Sequence, residues 1–326
     1  MNYRVAGIAL LVALALLSAN AAAQRLPKIG YLVFGSIRDQ PTGERKAFLD
    51  ALAERGWVVG KTIDIVYRAA EYEPEFLRAL CENLLQEKVD VLTTVGELST
   101  LACQKATRSV PIVCLACGDP IFTGVAESFA RPGRNATGLS LSHGELAPKR
   151  IEFLKLAAPA AERIAFLWDR SNKGSANEVQ IAERAAQAAG MQSMRMVVES
   201  QTEMNRSLEQ LARDPPDALY VSFAPGLILQ NRTAIAQLGV EHRFAVISAW
   251  AAMTEAGGLL SYAPDTMALF HRGAYYVDRI LKGAQPAELP IERADKIELV
   301  INLETARKLG ITLPPDLLLR ATRVIE

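Results

Sequence analysis

The sequence predicts an α/β protein with two Rossmann-like lobes, each built on a parallel sheet, joined by several hinge crossings. Three observations predict this fold. Short apolar runs alternate with amphipathic segments, which is the pattern of right-handed βαβ units. The series is completed in the first half of the chain and starts again near residue 163. Two further strand–helix pieces follow the second series, which indicates that the chain crosses between the lobes more than once.

The first series has four strands separated by helices. Each strand is a short apolar run, as expected of buried parallel strands, and each helix places its apolar residues on one face. The predicted strands are 28–34, 62–67, 89–95 and 111–115, and the predicted helices are 42–55, 73–87 and 98–107.

The second series repeats this order without visible sequence similarity to the first. Its predicted strands are 163–168, 194–198, 218–223 and 244–248, and its predicted helices are 175–189, 202–213 and 228–238. Strand 259–262, helix 264–282, a proline-rich link at 285–290, strand 296–301 and helix 303–309 complete the chain. We expect the first lobe to comprise 27–143 and 259–285, and the second lobe 144–258 and 286–326.

The start of the chain has the pattern of a secretory signal peptide. Arg4 precedes an apolar run at 5–17, and small residues at 21–23 form an A-x-A cleavage pattern. We expect cleavage after Ala23, so that residues 1–23 are removed and the protein is delivered to the periplasm. A retained membrane anchor is the alternative, but the run falls short of the roughly 20 residues that span a bilayer.

Length and charge narrow the class of protein. A mature chain of about 300 residues favours two domains. Lys and Arg number 36, as do Asp and Glu, so the formal net charge is zero. This balance gives no electrostatic reason to expect nucleic acid or an anionic membrane as a partner.

Four cysteines are present, Cys81, Cys103, Cys114 and Cys117. A zinc site would need further ligands, and the three histidines are scattered, so we expect no metal. We interpret the cysteines mainly as small apolar core residues. A disulfide between the helices that carry Cys81 and Cys103 is the alternative, which an oxidising compartment would permit.

Two motifs are specific to a known family. One is G-D-P at 118–120 followed by A-R-P-G-R-N-A-T-G at 130–138, and the other is I-N-L-E-T-A-R-K-L-G-I-T-L-P-P at 301–315. With 62–68 and 257–265, they resemble the ABC-transporter substrate-binding family, in the branch called tryptophan/tyrosine-type substrate-binding proteins. The resemblance covers essentially the whole mature chain and implies the type I periplasmic-binding fold.

The resemblance also implies a function. Members are receptors that close around a small solute, often an amino acid, and deliver it to a permease and an ATPase in the inner membrane. We therefore expect a monomer that needs no cofactor. One departure concerns the ligand, because relatives often carry G-T-P after the third strand, where this chain has Gly96-Glu97-Leu98. The Glu97 carboxylate would favour a cationic or amine-bearing solute, or would simply point to solvent.

The candidate site residues follow from where parallel strands end. Ligands lie beyond the carboxyl ends of the strands in open α/β sheets, and two lobes would direct both sets of ends into one cleft. The exit loops and the return to the first lobe give these ligand-binding candidates: Ser36, Gly96, Glu97, Ser99, Thr100, Asp119, Asp169, Asn172, Phe223, Trp250 and Asp265.

Each candidate has a binding role and a plainer alternative. Ser99 and Thr100 open a helix, where free N–H groups suit a ligand carboxylate, but Ser99 could also cap that helix. Glu97 and Asp119 could receive an ammonium group, although Asp119 also suits a turn before proline. The remaining alternatives are stacking or core packing for Phe223 and Trp250, hydrogen bonding or a loop role for Asn172, and helix capping for Asp265.

Other functional classes are less well supported. The sequence has no G-x-G-x-x-G after a strand, no P-loop, no G-x-S-x-G and no H-E-x-x-H, so we expect no enzyme. A transcriptional effector domain would need a helix-turn-helix where the signal peptide stands. A periplasmic sensor that feeds a chemoreceptor or kinase stays open as an alternative, because its binding chemistry would be the same.

Overall fold

The computed structural model describes residues 25–38 and 42–326, and the expected signal peptide lies outside these ranges. The strands are Lys28–Val33 (β1), Asp64–Ala69 (β2), Val91–Val95 (β3), Ile112–Cys117 (β4), Ala136–Ser140 (β5), Arg163–Asp169 (β6), Gln192–Val198 (β7), Ala218–Val221 (β8), Ala245–Ser248 (β9), Leu260–Pro264 (β10), Glu292–Arg293 (β11), Ile297–Asn302 (β12) and Arg323–Ile325 (β13). The α-helices are Thr42–Glu54 (α1), Phe76–Gln86 (α2), Gly96–Ala106 (α3), His143–Ala157 (α4), Lys173–Ala188 (α5), Gln201–Arg213 (α6), Leu227–Gln230 (α7), Arg232–Glu241 (α8), Ala251–Glu255 (α9), Thr266–Leu281 (α10), Leu303–Leu309 (α11) and Pro315–Leu319 (α12).

Two sheets form the two lobes, as the sequence predicts. The first sheet has the order β11-β5-β4-β3-β1-β2, and all its pairs are parallel. The second has the order β13-β12-β10-β9-β8-β6-β7 and is parallel except between β10 and β12. The sheet orders place β3 and β4 side by side, and β8 beside β9, so their carboxyl ends lie close together.

Each sheet is covered by apolar residues on both faces. Tyr31 and Phe48 belong to the core on one face of the first sheet, and Leu32 belongs to the core on the other face. Phe166 and Leu167 divide in the same way in the second sheet. Successive side chains of a strand point to opposite faces of the sheet. Because both faces are buried, the strands are continuous apolar runs in the sequence.

Two lobe boundaries differ from the expected ones. We expected 259–285 in the first lobe, but β10 pairs with β9 and β12 in the second sheet. We expected 286–326 in the second lobe, but β11 pairs with β5 in the first sheet. Helix α10 does pack on the first-lobe core through Phe270 and Val277. The chain therefore crosses between lobes near residues 141, 265 and 295.

Several elements lie where the sequence analysis predicts none. Strand β5 is short and contains Gly138, and helix α4 contains Pro148. Both lie in a stretch for which the sequence predicts no element. The short elements α9, β11, α12 and β13 were missed as well, and the single helix predicted at 228–238 is two helices, α7 and α8.

The cysteines form two disulfides, Cys81–Cys103 and Cys114–Cys117. Our main interpretation of them as unpaired core residues is wrong, although all four are buried. The alternative bond between α2 and α3 is confirmed, with Cα atoms 5.5 Å apart. By loop-closure entropy, this bond across 22 residues contributes about 3 kcal/mol. The second bond spans an irregularity in the pairing of β4 with β5.

Within residues 25–38 and 42–326, no helix combines the length and apolar character needed to cross a membrane.

Candidate functional site

The carboxyl ends of the two sheets meet at one interface, and the lobes are in contact there. Asn177 Nδ2 in α5 donates a hydrogen bond of 3.0 Å to Asp119 Oδ2, which follows β4. A Cβ atom added to Gly174 would lie 2.9 Å from Glu97 Oε1, so the start of α5 approaches the start of α3 closely. The cleft between the lobes is therefore closed in this structure.

Glu97 lies at this interface, and the described residues satisfy one of its two carboxylate oxygens. Strand β3 ends at Val95, and Gly96 turns the chain into α3 with a φ of 81°, where glycine is favoured. Gly118 N donates to Glu97 Oε2 at 3.1 Å. Oε1 is buried and finds no hydrogen-bond partner among the described residues.

The environment of Glu97 favours its neutral form. Burial raises the pKa of this carboxyl, and the nearby charge of Asp119 raises it further. Hydrogen bonds from the backbone N–H groups of Glu97 and Gly118 act in the opposite direction. A ligand that supplied a positive charge or a donor to Oε1 would stabilise the ionised form.

Three neighbouring rings form an aromatic wall, which we define as His143, Phe223 and Trp250. The ring centroids of His143 and Phe223 are 3.9 Å apart, and those of Phe223 and Trp250 are 4.5 Å apart. Phe223 also packs against the apolar core of the first lobe. Trp250 Nε1 is buried, and no acceptor for it occurs in the described part of the chain.

Behind the aromatic wall lies a buried ion pair between Arg150 of α4 and Glu178 of α5. Their side chains are 0 % and 1 % exposed, and Arg150 Nη1 donates to Glu178 Oε1 at 3.0 Å. The Tyr220 hydroxyl donates to the same oxygen at 2.7 Å, and Phe223 N donates to Glu178 Oε2 at 2.9 Å. Burial raises the pKa of Glu178, and Arg150 is the main counteracting influence. This pair therefore fixes the backbone that carries Phe223.

Arg150 also sets the tautomer of His143. Its Nη2 lies 3.2 Å from His143 Nδ1, and a guanidinium can only donate, so Nδ1 accepts and Nε2 carries the hydrogen. His143 Nε2 is buried without a partner within the described ranges. Burial, and then the charge of Arg150, hold the pKa of His143 well below 6.5. The ring is thus neutral, and its N–H group has no acceptor in the described part of the chain.

This burial predicts a pH dependence of stability. The folded protein keeps His143 neutral, whereas the unfolded chain binds a proton below about pH 6.5, so stability is lost as the pH falls below that value. The loss is up to about 1.4 kcal/mol per pH unit. The raised pKa values of Glu97 and Glu178 have the opposite effect, because they stabilise the folded protein as the pH falls. The contribution of His143 is therefore measured as the difference in pH-dependent stability between the wild type and His143→Gln.

Urea unfolding between pH 7 and pH 5 measures this difference. We expect His143→Gln to lose less stability than wild type over this range. His242→Gln, at the end of α8, is the matched control and should follow wild type. A wild-type profile that His143→Gln reproduces would contradict the buried neutral ring.

The other predicted site residues differ in their hydrogen-bond partners. Ser99 is fully buried, and its hydroxyl is unpaired as far as the structure describes the chain. Thr100 Oγ1 lies 2.7 Å from Thr94 Oγ1 and also donates to Gly96 O. The side chains of the remaining candidates accept from backbone N–H groups of their own turns: Ser36 from Arg38, Asp119 from Phe122, Asp169 from Ser171, Asn172 from Ser175, and Asp265 from Ala268.

Prediction from sequence missed His143, Arg150, Glu178 and Tyr220. A signal for α4 was present, because Ser142 and Glu145 have the S-x-x-E spacing of a helix start and Ala147, Ile151 and Leu154 follow at helical spacing. A signal for Glu178 was present as well. It lies on the apolar face of its helix beside Val179 and Ala182, where a charge needs a buried partner.

Comparison with known proteins identifies the family. The family model described as ABC transporter substrate binding protein matches residues 38–325. The chain belongs to this family. The resemblance expected from the motifs at 118–138 and 301–315 is thereby confirmed. Because the family consists of substrate-binding proteins, the expectation that the chain is not an enzyme is confirmed too.

Individual relatives agree with this family. A tyrosine-binding protein of Clostridioides difficile is 24 % identical over 269 residues, which cover 82 % of this chain and 76 % of the relative. An ABC domain from Streptococcus pneumoniae in complex with L-Trp has a TM-score of 0.85 and 25 % identity, covering 92 % of this chain and all of that one. A conserved domain protein from Vibrio cholerae has the same TM-score and coverage at 23 % identity.

Proposed function

We propose that the protein is the periplasmic solute-binding component of an ABC importer. In this proposal it binds an amino acid or related compound between its two lobes and delivers it to the permease and ATPase in the inner membrane. The observation that carries the proposal is a set of buried polar atoms at the lobe interface that have no partner among the described residues, in a chain from this family.

The unpaired atoms support a binding site because buried polar groups are normally hydrogen-bonded. Glu97 Oε1 can accept, and His143 Nε2 and Trp250 Nε1 can donate. Leaving such groups unpaired costs about 1–3 kcal/mol each, so a bound solute that pairs with them stabilises the closed protein. Binding sites of small molecules combine a few polar groups of this kind with apolar walls.

The aromatic wall supports a ligand with an aromatic or apolar part. Rings whose centroids lie 3.9 and 4.5 Å apart together present apolar surface to a neighbour. The named ligands of the two relatives, tyrosine and L-Trp, have aromatic side chains. We propose that Phe223 and Trp250 contact the corresponding part of the solute.

A thermal-shift screen of the purified protein against amino acids, amines, sugars and small aromatic acids tests the proposal. A ligand at a hundredfold excess over its dissociation constant adds about 2.7 kcal/mol of stability. We expect a hit whose shift is reduced in Trp250→Phe, which loses the indole N–H but keeps a ring. Trp57→Phe is the matched control, because the Trp57 indole N–H already donates to Asp278 at 2.8 Å and lies outside the aromatic wall. A screen in which no small solute raises the melting temperature would contradict the proposal.

Transport is tested separately from binding. Uptake of the labelled hit should fall in cells that lack this gene and recover when the gene is restored. Unchanged uptake would favour the sensor alternative, which predicts binding without transport.

A further inference from the structure

The N-terminus of helix α3 is filled by a carboxylate of the chain itself. The first N–H groups of a helix have no intrahelical acceptor and form a favourable site for an anion. Glu97 stands in the first turn of α3, and its side chain accepts from its own backbone N–H. Gly118 N, which follows β4, donates to the same carboxylate. The N–H groups of Glu97 and Gly118 are thus already engaged by a carboxylate of the chain.

The charges around Glu97 are predominantly negative. The charge of Asp119 raises the pKa of Glu97, and the charge of Glu97 in turn raises the pKa of Glu178. Three carboxyl groups therefore influence one another here. Arg150 is the nearby cation, and it is hydrogen-bonded to Glu178. His143 is neutral and adds no positive charge. A second carboxylate entering with a ligand would therefore meet repulsion, whereas a cation would be attracted.

Glu97 also has an acceptor that no described residue satisfies. Its residue exposure is 4 %, and Oε1 lacks a partner among the described residues. Gly174, at which a Cβ would be 2.9 Å from this oxygen, has no side chain that could pair with it. A buried carboxylate oxygen is stable only when a donor or a cation faces it.

From this juxtaposition we propose that the ligand is an organic amine without a carboxylate group. This inference rests on the proposed function and narrows its ligand class from amino acids and related compounds to amines. The ammonium group binds Glu97 Oε1, and the apolar part lies against Phe223 and Trp250. Aromatic faces also attract cations, so the aromatic wall and the carboxylate favour the same chemical class.

Calorimetric titration with probes that differ by one group tests the inference. Tryptamine carries the amine alone, indole-3-propionate the carboxylate alone, and L-tryptophan both. Tyramine with L-tyrosine, cadaverine with L-lysine, and agmatine with L-arginine extend the comparison to other side chains. We expect one of the amines to bind at least tenfold more tightly than its amino acid, and indole-3-propionate not to bind.

The ligand preference of Glu97→Ser distinguishes a binding role of Glu97 from a purely structural one. This variant removes the internal carboxylate and frees the N–H groups of α3 and Gly118. We expect the preference to reverse, so that the amino acid of the pair binds better than the amine. Glu145→Ser is the matched control, because Glu145 is also in the first turn of a helix but is exposed and paired with Arg293. It should keep the wild-type preference.

The outcomes separate the inference from the proposed function. If an amino acid binds as tightly as its amine, or Glu97→Ser keeps the amine preference, the inference is wrong while the proposed function stands. If sugars or acids bind and amines do not, the inference is equally wrong. If no solute of any class binds, the proposed function is overturned as well.

Discussion

Replacement of Arg150 by methionine is expected to lower the free energy of unfolding by about 3–5 kcal/mol, because it leaves the Glu178 carboxyl buried without its cation. Both side chains are at most 1 % exposed, so water cannot replace the lost partner. Methionine fills much of the same volume, and cavity formation is therefore a minor part of the effect. Urea unfolding at pH 7 measures the change.

Two further variants show whether the buried charge is responsible. Arg163→Met removes an ion pair with Asp214 in which the side chains are 45 % and 63 % exposed, and it should cost less than about 1 kcal/mol. Arg150→Met combined with Glu178→Gln should be more stable than Arg150→Met alone. If Arg150→Met is as mild as Arg163→Met, the account of this pair is wrong.

Replacement of Gly174 by leucine is expected to weaken ligand binding on the order of a hundredfold, by keeping the lobes apart. Even a Cβ at this position would lie 2.9 Å from Glu97 Oε1 across the interface. If the larger side chain reduces the closed population to about one part in a hundred, the apparent dissociation constant rises by the same factor. Calorimetry with the hit from the thermal-shift screen measures the affinity, and small-angle scattering measures the opening.

Lys173→Leu is the matched control for this steric effect. It places the same side chain one residue earlier in α5, at an exposed position. This control should bind and close like the wild type. Wild-type affinity in Gly174→Leu would show that closure at this contact is not required for binding.

The two-lobe α/β fold could be predicted because buried parallel strands have an unambiguous pattern. Strands such as β1 and β6 are continuous apolar runs, and amphipathic helices separate them. The places where the chain changes lobe were not predictable in the same way. Strand β10 is as apolar as its neighbours, and only its pairing with β9 and β12 assigns it to the second sheet.

Part of the candidate site could be predicted from strand ends alone. Ligands of open α/β sheets bind beyond the carboxyl ends of the strands, and this expectation selected Glu97, Phe223 and Trp250 from the exit loops. It did not find His143 or Arg150, which reach the interface from α4. Their contacts depend on tertiary packing, since Arg150 bonds to Glu178, 28 residues away, and to Tyr220, 70 residues away.

The same limit applies to the cysteines. A buried unpaired cysteine and a buried disulfide-bonded cysteine are both surrounded by apolar residues in the sequence. The sequence pattern around each cysteine therefore does not distinguish the two states. The Cα distances of 5.5 and 5.9 Å that permit the bonds arise only once α2 packs beside α3 and β4 becomes irregular at its end.

A crystal structure of the protein with the tightest ligand from the titrations tests the central claim most directly. The account predicts ligand density between the lobes, with a donor of the ligand within hydrogen-bond distance of Glu97 Oε1 and its apolar part against Phe223 and Trp250. Density away from Glu97 would contradict the account, for example in the groove of about 230 Å³ lined by Phe122 and Trp168, with Glu97 Oε1 still unpaired.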